Sequence, residues 1–114
     1  MRILDGEQTL IRIFLGESDR WHHAALHTAL LERLRNEGFA GATAFHGIAG
    51  FGARSVIHTT HILDMSTDLP IVIEVVEDAA HVDKLVEILD EMLEGGLVTV
   101  EKVRVMRYAP AKQA

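Results

Sequence analysis

An α+β domain, two helices on one face of a four-stranded antiparallel sheet, is the fold this 114-residue sequence predicts. Three observations carry that expectation. Apolar residues alternate with a period of two in several stretches, they recur at helical spacing in two others, and the order of stretches is strand, helix, strand, strand, helix, strand. Two right-handed βαβ halves joined in that order put both helices on the same side of the sheet, the ferredoxin-like βαββαβ arrangement.

The first strand is "QTLIRIFL", residues 8–15, with Thr9, Ile11, Ile13 and Leu15 on one side and Gln8, Leu10, Arg12 and Phe14 on the other. Gly16 ends it. Ser18 or Asp19 supplies an N-cap, and Leu26, Leu30, Leu31 and Leu34 mark the buried stripe of a helix from about Trp21 to Glu37, stopped by Gly38. A second extended piece spans residues 42–48. "LPIVIEVVE", residues 69–77, is dense in β-branched residues, with Ile71, Ile73 and Val75 on one face and Val72, Glu74 and Val76 on the other. Asp78 is the expected N-cap of the second helix, whose stripe is Val82, Leu85, Val86, Leu89, Met92 and Leu93, with Gly95 and Gly96 ending it. The last strand, "LVTVEKVRVMRY", is apolar first at even positions (Val98, Val100) and then at odd ones (Val103, Val105). That switch predicts either a bulge near Glu101 and Lys102 or a strand that turns to meet another chain.

With both helices on one face, the other face is left bare, carrying Leu10, Phe14, Val72 and Val76. An uncovered apolar sheet face is a reason to oligomerise. Composition agrees with a single globular domain over residues 1–114: hydrophobic residues make up 48% and charged ones 25%. No apolar run reaches the length of a membrane span and the first residues lack a signal-peptide core, so a cytoplasmic protein is expected. Zero cysteines remove disulfides and thiolate chemistry. A net charge of −6 argues against nucleic acid as partner, since its binding needs clustered Lys and Arg.

Between the second and third strands lies a loop of about twenty residues, far longer than a hairpin connection and so expected to be functional. It opens on "GIAGFG", residues 47–52, followed by Arg54. Gly47, Gly50 and Gly52 either bring backbone N–H groups close to an anion, with Arg54 pairing its oxygens, or merely shape a turn. The spacing matches neither the dinucleotide fingerprint nor the Walker loop. His58 and His61, with Asp64 as third ligand, are the candidates for a divalent metal site, and His23 and His27, one turn apart on the first helix beside His22, are a second pair. His46 and His81 stand alone. Ser18, Ser55 and Ser66 have no nucleophile motif around them, and Glu87, Asp90, Glu91 and Glu94 fit the solvated face of the second helix. No enzyme is expected. Gly95 and Gly96 are either an ordinary helix terminus or, in an oligomer, neighbours of another chain's 47–54 loop, and Lys102, Arg104 and Arg107, the densest basic cluster in the chain, are otherwise the exposed charges of an amphipathic strand.

The run "GATAFHGIAGFGARSVIHTTHILDMSTDLPIVIEVVE", then a helix and "GGLVTVEKVRVMRY", resembles the DUF190 (UPF0166) family of the PII-like superfamily over nearly the whole chain. "GFG" with the following Arg and His is similar to the start of the T-loop of PII nitrogen-regulatory proteins, which are ferredoxin-like trimers binding adenine nucleotides in clefts between subunits. The resemblance implies a homotrimeric signalling protein that senses a small anionic ligand such as an adenine nucleotide. The ligand site would combine Gly47, Gly50, Gly52, Arg54 and His58 of one chain with Gly95, Gly96, Lys102 and Arg104 of a neighbour. The 49–68 loop would grip a target protein, with a membrane transporter or channel as one such target. Where PII carries a phosphate-directed Lys after its glycines, this chain has Leu97 and Val98. The tyrosine that is uridylylated in some PII T-loops is also absent between His61 and Leu69.

Overall fold

The computed structural model describes residues 3–52 and 68–109. The elements are β1 (Gly6–Gly16), β2 (Arg20–Trp21), β3 (Ala24–Ala25), α1 (Leu26–Asn36), β4 (Thr43–His46), β5 (Pro70–Glu77), α2 (Ala79–Met92) and β6 (Leu97–Val105). Strands β4, β5, β1 and β6 lie side by side in that order, all pairings antiparallel, while β2 and β3 form a separate two-stranded ribbon. This is the expected α+β ferredoxin-like sheet. No helix among the described residues is long and apolar enough to cross a membrane.

The core lies between sheet and helices. Ile11, Ile13 and Leu15 of β1 and Ile71, Ile73 and Val75 of β5 pack against Leu26, Leu30 and Leu34 of α1 and Leu85, Ile88, Leu89 and Met92 of α2. Residues i, i+2 and i+4 of a strand share one face, so the odd-numbered residues predicted to face the helices do so. The α2 stripe differs at one place: Val86 is 52% exposed and Ile88 takes a core position instead. At 100° per residue, Val86 lies outside the arc that Leu85, Ile88, Leu89 and Met92 occupy.

The start of α1 also departs from expectation. The chain forms the β2–β3 ribbon first, turning at His22 with φ +55°, so the helix begins at Leu26 and has no side-chain cap. The predicted caps are engaged elsewhere. Asp19 Oδ2 accepts from the Gly16 N–H at 3.0 Å, and Ser18 donates to Asp68. The ribbon also places His22 and His23 ahead of the helix, so His23 and His27 do not form the helical chelating pair. At its other end α1 closes as a Schellman motif: Gly38 N–H donates to Arg35 O at 3.2 Å and Phe39 N–H to Leu34 O at 3.1 Å. Helix α2 starts where predicted, with Asp78 Oδ1 accepting from the His81 N–H at 2.9 Å.

Strand β6 contains no bulge. Its pairing with β1 is uninterrupted from Gly6↔Val105 to Phe14↔Leu97. The parity switch therefore puts apolar side chains on both faces of one regular strand, with Val98 and Val100 on the helix side and Val103 and Val105 on the open side. The helices do not reach this edge, leaving Val98 39% and Val100 60% exposed.

Arg33 ties the two helices together. Its Nη1 and Nη2 donate to the two carboxylate oxygens of Glu91, each at 3.1 Å, and its Nε donates to Glu37, which also pairs with Lys84 at 3.3 Å. Hydrogen bonds from Arg33 hold the Glu37 and Glu91 carboxyls below their ordinary value of 4.5. A depressed folded-state pKa stabilises the fold above the ordinary value, and that stabilisation is lost as pH falls through the lowered values. Thermal unfolding midpoints should therefore drop on acidification below about pH 4.5, and Arg33→Gln should make that drop shallower. Equal slopes in the two proteins would show that this network does not set acid sensitivity.

Candidate functional site

One end of the sheet gathers the glycines, and the backbone there is tied down. Gly47 N–H donates to Pro70 O at 2.7 Å, and a Cβ at Gly47 would lie 2.5 Å from Pro70 Cγ, so a side chain there would push the two stems of the long loop apart. This hydrogen bond occupies the Gly47 N–H. Gly50 also sits against Pro70, while Ile48 and Phe51, 96% and 69% exposed, point their apolar side chains into solvent beside it.

Both stems of the loop are fastened to the turn after β1. On the entry side His46 Nε2 lies 3.3 Å from Glu17 Oε2. On the exit side Asp68 Oδ1 accepts from Ser18 N–H at 3.0 Å and Ser18 Oγ–H at 2.7 Å, and Leu69 O accepts from Glu17 N–H at 2.8 Å. Asp68 adopts φ +33°, a conformation that short polar side chains tolerate better than most because they hydrogen-bond locally. Here the Asp68 carboxylate is engaged by Ser18, fifty residues away in the chain.

Gly95 and Gly96 lie at the same end, since Leu97 pairs with Phe14 while Gly16 pairs with Pro70. Gly96 has φ +107°, and a Cβ there would come within 2.8 Å of Phe14 O. Within one protomer this turn and the Gly47 loop sit at opposite edges of the sheet, three strand spacings or about 14 Å apart. Lys102 and Arg104 are elsewhere. They pair with Thr9 and Glu7 at the far half of β6, and Lys102 Nζ lies 3.2 Å from Glu7 Oε1. Six residues of extended chain separate Gly96 from Lys102, about 20 Å, so the two cannot hold the same phosphate. The predicted ligand set is thus divided between two regions of β6. Arg54, His58, His61 and Asp64 fall outside the described residues.

At the end of β5 stands Glu77, which belongs to no motif of the sequence. It is fully buried, and its parity gives the reason: it follows Ile71, Ile73 and Val75 on the helix-facing side of β5. Its Oε2 accepts from Ala40 N–H at 2.6 Å and its Oε1 from Asp78 N–H at 3.1 Å. Nearby, His81 Nδ1 is 2.9 Å from Asp78 Oδ1, and its ring packs edge-on against Phe39. Glu77, Asp78 and His81 offer ligand atoms within 4.8 Å of one another. Helix capping and the grip on Ala40 account for these contacts.

Comparison with known proteins places the chain. The model of the DUF190 family, described as "Uncharacterized ACR, COG1993", matches residues 8–105. A UPF0166 protein of Aquifex aeolicus is 30% identical over 93% of this chain and 98% of its own length. A second from that organism is 36% identical over 87% of this chain and 97% of its own. The UPF0166 protein MJ1524 of Methanocaldococcus jannaschii is 28% identical over 86% and 91%. Among solved structures, CPII from Thiomonas intermedia K12, bound to ADP and bicarbonate, superposes with a TM-score of 0.59 at 24% identity, covering 91% of each chain. Fold and sequence together show that the chain belongs to the DUF190 (UPF0166) family and has a fold like that of CPII.

Proposed function

We propose that this protein is a PII-like regulator that senses a small anionic ligand, an adenine nucleotide in the first instance, in clefts between the protomers of a homotrimer. It catalyses no reaction. Gly50, Gly52 and Arg54 of one protomer form one wall of the cleft, and Gly95 and Gly96 of a neighbour form the other. Lys102 and Arg104, about 20 Å down β6, are left outside it. The observation that carries this reading is the anchoring of the long loop: both of its stems are tied to the 16–19 turn, at the sheet end that also holds Gly95 and Gly96. A ligand at this end would contact the base of the loop and so bias the conformations of the 49–68 segment that meets the target protein. Such a bias requires that the ligand bind one loop state more tightly than the other.

The neighbour CPII, whose structure holds ADP and bicarbonate, makes these the first compounds to try, together with ATP, AMP and cyclic AMP. A ligand at one hundred times its dissociation constant adds about 2.7 kcal/mol of stability. In a domain of this size that should raise the thermal midpoint by roughly 10 °C or more. Arg54→Ala is expected to weaken binding at least tenfold in calorimetry. No response to any of the panel would overturn the reading.

A further inference from the structure

The ribbon that precedes α1 holds one residue in a conformation it does not favour. Arg20 pairs with Ala25 and Trp21 with Ala24, so β2 and β3 form a hairpin whose two-residue loop is His22 and His23. At His22 φ is +55°, and His23 does not share that sign. A positive φ confined to the first loop residue of a hairpin is a position where glycine is usual. The hairpin is tied down around it. Arg20 Nη2 donates to His23 O at 2.8 Å, and Leu26 N–H donates to Asp19 O at 2.8 Å. So fixed, the imidazole of His22 stands edge to face with the indole of Trp21, ring centres 4.5 Å apart and planes at 70°. The two rings make an aromatic corner.

That corner bounds an open cleft of about 560 Å³ between the hairpin and the two helices. Ala29 of α1 and Met92 of α2 line it with apolar surface, and Glu32 and Arg33 bring opposite charges to it. Trp21 is half-buried against the core, which holds its indole in place. The two charges are not equally free. Arg33 is answered by both carboxylate oxygens of Glu91 and again by Glu37. The Glu32 side chain, by contrast, makes no hydrogen bond or ion pair among the described residues. The charge the cleft offers to a ligand is therefore negative. A cation laid against an indole is drawn to the negative face of the ring, and walls of this kind suit ammonium groups carrying alkyl substituents. Those substituents would also bury against Ala29 and Met92, a gain that a hydrated metal ion cannot make.

We propose that the cleft bounded by Trp21, His22 and Glu32 binds a small organic cation with an alkylated ammonium group. The indole face and the Glu32 carboxylate share its charge, and His22 closes the corner around it. Glycine at position 22 would relax the turn and leave the corner without its second ring, so the imidazole serves the cleft. This site uses none of the glycine turns invoked under Proposed function and stands or falls without them.

Trp21 is the single tryptophan of the chain, so its emission reports on the cleft directly. The test titrates the full chain with choline chloride, against sodium chloride at equal ionic strength and against 3,3-dimethylbutan-1-ol, which has the same shape without the charge. Choline should change the Trp21 emission saturably and sodium chloride should not. The neutral analogue should bind about fivefold more weakly or worse, for want of the cation–π and ionic attractions. Glu32 is exposed on α1, so Glu32→Gln keeps the fold, and it should weaken choline binding about threefold. His22→Gly suits the positive φ and should weaken binding by a similar factor, about threefold, through loss of the second ring. Circular dichroism checks that both variants are folded. The proposal is overturned by the absence of a saturable change with choline, by a neutral analogue that binds as tightly, or by unchanged choline affinity in either folded variant.

Discussion

Glu77→Ala should lower the free energy of unfolding by about 3 kcal/mol, because it removes the acceptor of two partly buried donors and empties a fully buried site at once. The carboxylate accepts from Ala40 N–H through one oxygen and from Asp78 N–H through the other, and the side chain has no exposure to water. Each buried donor left without an acceptor costs about 1–3 kcal/mol, and the vacated space adds a cavity term. The Ala40 peptide is held from its other side as well, since Tyr108 Oη–H donates to Ala40 O at 2.5 Å. Loss of Glu77 should therefore loosen both the turn after α1 and the segment after β6. Glu77→Gln keeps one acceptor oxygen but turns an NH2 group toward the second donor, so an intermediate loss is expected. Urea titration at a fixed protein concentration checks the order wild type, Gln, Ala. A loss below about 1 kcal/mol for Glu77→Ala would mean that water or other backbone groups replace the carboxylate.

The regular elements were legible in the sequence because their determinants are local. Alternation in "TLIRIFL" and "PIVIEVV", the Asp78 cap and the Gly38 stop depend on residues within a turn or two of one another, and the structure follows each of them. The misreadings share a different cause. Ser18 has the chemistry of an N-cap, but its hydroxyl serves Asp68, fifty residues later, and no local rule could have weighed that partner. Val86 fits a helical stripe by spacing, yet how wide an arc is buried depends on where the sheet ends, and β6 extends past the helices. The double-sided apolar pattern of β6 was visible, and the unbroken register removes the first of its two explanations, a bulge near Glu101 and Lys102. For the candidate site, loop length and glycines pointed to residues 47–52 and 95–96, which the structure brings to one end of the sheet. They gave no measure of distance along β6, which is what separates Lys102 and Arg104 from that end. Glu77 could have been found by parity alone, had a charged residue in line with three β-branched core residues been treated as informative.

Ile13→Ala should cost about 3–4 kcal/mol. Ile13 is central to β1, has no exposure to solvent, and faces both helices between Ile73 of β5 and Val98 of β6. Removing three side-chain carbons there leaves a void that neighbours on a rigid sheet cannot easily fill, the condition under which truncations reach the upper part of their range. Its chain neighbours Arg12 and Phe14 point to the opposite face. Unfolding of the variant should shift to lower urea at every protein concentration. The folded variant should keep the wild-type circular dichroism, because the pairing of β1 with β5 and β6 runs through the backbone. A loss below about 1 kcal/mol would mean that the helix-side core relaxes to fill the void.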